Sequence, residues 1–292
     1  MKPTHLLQFC LFLLALLPAS LQAENPLAAD KDEVRVLFVG HSFFSGSGGM
    51  HNIVQELLED GGYDAHCELV PGGLRTSARN GQQKDDLDEK KLAHFERNRS
   101  RFEKALAKPK PWDYIVVIGW AYTTTWPGDF LFENTKAFVE QVRERSPDTR
   151  IVFYQNHAPY GKLSRQPEFS ALYEQLANEH DAFLAPCGDA WKLALTEQPD
   201  LMLHTSTKDS HPGFNGLYLS ACTLYATITD KTPEGLRTKM KGTYRKNGRG
   251  DSFQVEEQTA RYLQNVAARA VFGGDAPAAP KESLLATPSS DD

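Results

Sequence analysis

Between residues 34 and 271 the chain alternates short, continuous apolar runs with longer stretches whose apolar residues recur at helical spacing. No other feature limits the possible folds so strongly. Val34-Arg35-Val36-Leu37-Phe38-Val39, closed by Gly40, has the length and β-branched content of a buried strand. Ala65 to Val70, ended by Pro71-Gly72-Gly73, reads as a second strand. Tyr114-Ile115-Val116-Val117-Ile118, closed by Gly119, is a third, Arg150 to Tyr154 a fourth and Ala182 to Pro186 a short fifth. Helical spacing is found over Met50 to Leu58, weakly within Gln82 to Ala107, and over Leu131 to Arg145 and Phe169 to His180. It returns at Ala190 to Leu195, at Gly216 to Thr229 (apolar nearly all round) and at Val255 to Val271. Strands joined through helices need crossover connections, which implies a parallel sheet covered on both faces. The expected fold is therefore of the α/β class: a three-layer α/β/α sandwich on a five-stranded parallel sheet.

The two ends of the chain read differently. Lys2, an apolar run from Leu6 to Leu17 and the small residues up to Ala23 have the layout of a secretory signal peptide over residues 1–23. The run is about a dozen residues, whereas a spanning helix needs about 20. No later segment is apolar enough to cross a bilayer, so the expected mature chain has no integral membrane segment and is exported, either periplasmic or secreted. Residues 24–33 read as a linker, 34–273 as one domain and the Ala-, Pro-, Ser- and Asp-rich stretch 274–292 as a disordered tail. A formal charge of −6 gives no general electrostatic reason to bind nucleic acid or anionic lipid. The basic stretch Lys239 to Arg249 is expected as a solvated loop. Outside the leader there are three cysteines, Cys67, Cys187 and Cys222, with no C-x-x-C pair. They read as small buried side chains rather than as a disulfide framework or a metal site, with one bridge left open.

In open α/β sheets the ligand crevice lies beyond the carboxyl ends of the strands. There stand Gly40-His41-Ser42-Phe43, Gly72-Gly73, Gly119-Trp120-Ala121-Tyr122 and Gln155-Asn156-His157, with Lys208-Asp209-Ser210-His211-Pro212 downstream, before the apolar helix. A serine hydroxyl becomes a useful nucleophile only when a base takes its proton. Ser42 follows a glycine turn, His211 is a natural base, and Asp209 is placed to orient the imidazole. Alone, Ser42 reads better as a helix N-cap than as a nucleophile.

Taken together, the Gly40-His41-Ser42-Phe43 block, the Asp209-Ser210-His211-Pro212 block and the following Gly216-Leu217-Tyr218-Leu219 helix resemble the SGNH (GDSL-like) hydrolases. Pro186-Cys187-Gly188-Asp189-Ala190-Trp191 is similar to a further segment of secreted bacterial members. The resemblance runs from about Val34 to Val271. It implies a flavodoxin-like sandwich with a serine esterase site and no metal or cofactor. By motif, Ser42 would be the nucleophile, His211 the general base, and the Ser42 and Gly73 amides oxyanion donors, with Gly72 the alternative to Gly73.

Three positions depart from the family pattern. His41 precedes the serine where the family has Asp or Asn. Lys208 occupies the place of the family's acid, so either Asp209 reaches His211 by a local shift or a backbone carbonyl orients the base. Gly119-Trp120-Ala121-Tyr122 lacks the family's third-block asparagine, for which Asn156 is the candidate replacement. Trp120, Tyr122 and Trp126 are candidates to line a substrate platform. Two functional readings follow. One is an exported serine hydrolase cleaving an ester, such as an O-acetyl group on a carbohydrate. The other is a non-catalytic SGNH-like carbohydrate-binding protein. The oligomeric state is not legible.

Overall fold

The computed structural model describes residues 33–45, 49–74, 89–119, 128–246 and 249–273. The expected leader, nearly all of the linker, the tail, and Trp120, Tyr122 and Trp126 lie outside these residues. The described elements run in the order β1 (Glu33–Gly40), α1 (Ser42–Ser45), α2 (Met50–Asp60), β2 (Asp64–Pro71), α3 (Glu89–Leu106), β3 (Tyr114–Val117), α4 (Gly128–Arg145) and β4 (Arg150–Tyr154). They continue with α5 (Gln166–Glu179), β5 (Phe183–Ala185), α6 (Cys187–Glu197), β6 (His204–Ser206), β7 (Asp209–Pro212), α7 (Phe214–Thr229), β8 (Lys239–Lys246), β9 (Arg249–Gln254) and α8 (Glu257–Phe272).

Strands β1 to β5 form one parallel sheet in the order β2-β1-β3-β4-β5. The period-2 alternation of a strand sends successive side chains to opposite faces. In β1, Val34, Val36 and Phe38 join one core while Leu37 and Val39 join the other. Tyr114 and Val116 of β3, and Val152 and Tyr154 of β4, repeat the first set; Ile115, Val117, Ile151 and Phe153 repeat the second. The first core is filled by α1, α2, α6, α7 and α8, the second by α3, α4 and α5. The sheet is thus covered on both faces, as a three-layer sandwich. The apolar sequence of α7 is accounted for by its position: it packs on α2, α6 and α8 and buries residues around its whole circumference.

The chain leaves β1 for β2 on one side and returns to β3 on the other, so its winding reverses between β1 and β3. At such a reversal the connections diverge and leave a crevice at the carboxyl ends. Both strand ends are shaped by glycine. A Cβ on Gly40 would lie 2.2 Å from the Phe44 ring, which folds back over the strand end. Gly73 has φ +61°, and a Cβ there would lie 2.6 Å from the Ile118 carbonyl oxygen.

One segment differs from expectation, and a second forms a strand that the sequence pattern does not suggest. The basic stretch is not a loop: β8 and β9 pair antiparallel, from Lys239 opposite Gln254 to Lys246 opposite Arg249. Met240 and Phe253 are buried at the base of this hairpin, and the Val255 N–H donates to the Thr238 carbonyl at 3.0 Å. Those anchors and the antiparallel ladder outweigh the polar composition. Likewise, the segment carrying Asp209 and His211 is strand β7, paired with β6 in a short hairpin. All three cysteines are buried and unbridged.

Candidate active site

Ser42 opens the single turn α1, directly after β1. The Phe44 and Ser45 N–H groups donate to the His41 carbonyl at 2.9 and 3.1 Å, which closes that turn. Phe43 and Phe44 are buried on its inner side, so Ser42 is left facing outward. The first N–H groups of a helical turn have no carbonyl partner within it, and the Ser42 N–H occupies that position.

His211 reaches Ser42 from β7, 169 residues later in the chain: Nε2 lies 2.8 Å from Oγ. Its other nitrogen, Nδ1, lies 2.6 Å from Asp209 Oδ1. With Nδ1–H donating to the carboxylate, Nε2 presents its lone pair to the serine hydroxyl, the tautomer a general base requires. The spacing question raised by the sequence has a structural answer. Residues two apart on an extended strand point to the same side, so on β7 an acid two residues before the histidine meets it directly. The His211 backbone N–H also donates to Asp209 Oδ1, at 3.0 Å. Donors to a carboxylate favour its charged form. The His211 side chain first, then the His211 N–H and the Thr205 hydroxyl, hold Asp209 down at about 2 against the opposing effect of partial burial.

Ser42, Phe43, Thr205, Asp209, His211, Pro212 and Leu217 line an open cleft of about 190 Å³. The His211 and Asp209 side chains are 43% and 44% exposed, so water and substrate have direct access to the base. The Phe43 ring meets the His211 ring edge-on with centroids 5.3 Å apart.

The remaining expected site residues fall out as follows. Gly73 stands at the end of β2 beside His41, its added Cβ position 3.9 Å from the His41 ring. The Gly72 N–H donates to the Gly40 carbonyl at 2.6 Å, which removes it as an alternative oxyanion donor. Asn156 does not face the cleft. It is fully buried, and its amide donates to the Gly119 carbonyl at 2.9 Å. A donor committed to a strand-end carbonyl in the core is not available to a substrate, so the expected replacement for the missing asparagine is corrected. The Phe43 N–H approaches His41 Nδ1 at 3.5 Å, which ties the residue before the serine to the turn.

One supporting residue was not singled out for any role from sequence. His157 is fully buried, stacked on Trp191 at 3.7 Å and on Phe43 at 5.0 Å. Its Nε2–H donates to the Ser210 carbonyl at 3.0 Å, between the acid and the base. It therefore packs against the serine turn and bonds to the histidine strand. Burial above all, with the nearby His204, His211 and His41, pushes it down to about 3 despite that bond, and it is neutral at physiological pH. A histidine after a strand carries no sequence mark of such a role.

Among the described residues no group of three or more His, Cys, Asp or Glu side chains is arranged to hold a metal ion. No described helix is long and apolar enough to cross a membrane.

No protein-family model matches the chain, and none of the curated proteins does either. Solved structures do. A DUF4886 family protein from Bacteroides uniformis superposes with a TM-score of 0.56 at 18% identity, covering 82% of this chain and 95% of that one. A protein from Slackia heliotrinireducens, provisionally assigned as an SGNH hydrolase, gives 0.49 at 19% identity, covering 67% and 99%. An acetyl xylan esterase gives 0.47 at 17% identity, covering 67% and 100%. At these identities the first likeness speaks for the fold, and the chemistry has to be argued from the site.

Proposed function

We propose that this chain is a serine esterase of the SGNH type, with Ser42 as nucleophile, His211 as general base and Asp209 as the group that orients it. The observation that carries this reading is the unbroken series Ser42 Oγ, His211 Nε2, His211 Nδ1, Asp209 Oδ1, with separations of 2.8 and 2.6 Å across the imidazole, open to solvent at the strand ends. Ser42 Oγ attacks the ester carbonyl carbon while His211 Nε2 takes its proton. The tetrahedral oxyanion is stabilised by the Ser42 and Gly73 N–H groups. The alcohol leaves with the proton returned by His211, and water activated by the same imidazole releases the acid.

A cleft of this size suits a short acyl group, and its open rim leaves room for a large alcohol, which favours an O-acetylated carbohydrate as substrate. Export through the leader ending at Ala23 belongs to the same proposal. One observation favours a second reading, a non-catalytic carbohydrate-binding protein: the Asn156 amide is withheld from the cleft, leaving fewer donors for an oxyanion. Each such donor contributes about 3–4 kcal/mol in enzymes where it has been removed.

Hydrolysis of p-nitrophenyl acetate by the mature chain and by Ser42→Ala separates the two. Turnover that disappears in the variant is expected. Equal, background-level rates for both would overturn the esterase reading for this substrate class and favour the binding protein, which carbohydrate-binding assays would then examine.

A further inference from the structure

The His211–Asp209 pair accounts for one carboxylate oxygen only. The other, Asp209 Oδ2, accepts the Thr205 hydroxyl at 2.9 Å. Thr205 lies on β6, where the hairpin is irregular. Between the pairs His204–Pro212 and Ser206–Asp209, one residue of β6 stands opposite two of β7, Ser210 and His211. Bulges of this kind re-aim side chains beside active sites. Here the irregularity accompanies a threonine hydroxyl directed along the hairpin to the acid. Asp209 and His211 are each nearly half exposed, so packing alone does not fix the carboxylate plane.

We propose that Thr205 is a positioning residue: its hydroxyl locks the rotation of the Asp209 carboxylate so that Oδ1 stays on His211, a role that rests on the esterase reading above. A freely turning carboxylate would offer His211 either oxygen in changing geometry. With Oδ2 held, the short Nδ1 contact and the His211 N–H contact converge on one atom. The hydroxyl has a single proton, and it is given to Asp209, so Thr205 is not at the same time an oxyanion donor, although it lines the cleft. The titratable groups facing the carboxylate are His211 from its own strand and His204 from β6.

Thr205→Val keeps the shape and removes the hydroxyl; Thr205→Ser keeps the hydroxyl. The first readout needs no substrate: the Asp209 carboxylate carbon, followed by NMR from pH 6 downward. Loss of a donor to the charged form should raise its midpoint by about half a pH unit or more in Thr205→Val, with Thr205→Ser returning toward wild type. The second is a double-mutant cycle on acetyl-ester hydrolysis. Thr205→Val should lower kcat about three- to tenfold with KM nearly unchanged, and should change kcat less than about twofold in an Asp209→Asn background. Identical carboxylate midpoints in all three proteins would overturn the proposal. So would a rise in KM at constant kcat, or an equal loss with Asp209 absent, either of which makes Thr205 a substrate contact. An inactive wild type would count against the esterase reading instead, and the carboxylate titration would still decide the role of Thr205.

Discussion

Among the described residues, two histidine–carboxylate pairs are built on the same local rule. On β7, Asp209 and His211 are two apart and bonded at 2.6 Å; on β2, His66 and Glu68 are two apart and bonded at 2.8 Å. Strand alternation places both pairs on one side of their strands. Their surroundings differ. Glu68 also pairs with the Lys108 ammonium, and the His66 ring stacks on Trp112 at 5.7 Å, with Arg35 and Lys108 over that same indole. Among the described residues no hydroxyl or thiol hydrogen-bonds to His66. His211 instead has Ser42 on its second nitrogen and, among the described residues, no lysine or arginine ion-paired to its acid. A histidine beside an acid is thus no catalytic signature in itself. The first pair lies along the edge strand β2, short of its carboxyl end, and closes a cation–aromatic cluster. The second stands at the carboxyl-terminal edge, where the reversal between β1 and β3 opens a crevice.

This contrast can be broken by matched substitutions. The largest effect is expected for His211→Ala, with ester hydrolysis falling by about 10⁵-fold or more, as for loss of a base that works as a unit with its nucleophile. His66→Ala should leave the rate within about twofold; comparable losses in both would dissolve the distinction. Next, Asp209→Asn should lower kcat by about 10³- to 10⁴-fold, because an amide no longer enforces the Nδ1–H tautomer. Glu68→Gln should leave kcat unchanged when steady-state rates are compared.

A third expectation concerns the buried support of the site. His157 titrates at about 3, held there by burial, against an ordinary value of 6.5. The unfolded chain therefore takes up a proton below pH 6.5 that the folded chain refuses until about pH 3. Stability should decline as pH falls through that window, at up to about 1.4 kcal/mol per pH unit from this group. His204 and His51, also lowered by burial, act in the same direction. Asp209, held at about 2, adds its own loss only below its ordinary value of 3.8. Urea unfolding at pH 7, 5.5 and 4.5 should show a shallower slope for His157→Gln than for wild type. Equal slopes would mean that His157 is not held neutral by the core. The smallest effect is expected for Lys108→Ala on stability, about 1 kcal/mol or less, since its ion pair with Glu68 is over a third exposed on each side or close to it.

The five strands of the sheet were legible as short, largely apolar runs, most of them closed by glycine or proline; the inner strands β1, β3 and β4 are almost wholly buried, whereas the edge strands β2 and β5 are partly open. The serine turn and the histidine were legible through motif context. The two hairpins were not. His204-Thr205-Ser206 and Asp209-Ser210-His211-Pro212 carry no apolar alternation, and their pairing is fixed by neighbours: Pro212 is buried and the Gly213 N–H bonds the Leu203 carbonyl at 2.7 Å. For the same reason the acid looked displaced by one place. Its shift is resolved only once β7 is known to be extended. Asn156 was misplaced because a polar residue at a strand end can turn either to the crevice or back to the core. The Gly119 carbonyl, itself also bonded by Tyr173 at 3.2 Å, drew the amide inward.

The central claim is that His211 makes Ser42 a nucleophile. A fluorophosphonate probe, which forms a stable adduct only with an activated serine, tests it without knowledge of the natural substrate. Intact-mass and peptide analysis should find one adduct per chain, on Ser42, absent from Ser42→Ala and slowed at least about a hundredfold in His211→Ala. A folded wild-type protein that stays unlabelled, or that labels equally fast without His211, would contradict the account.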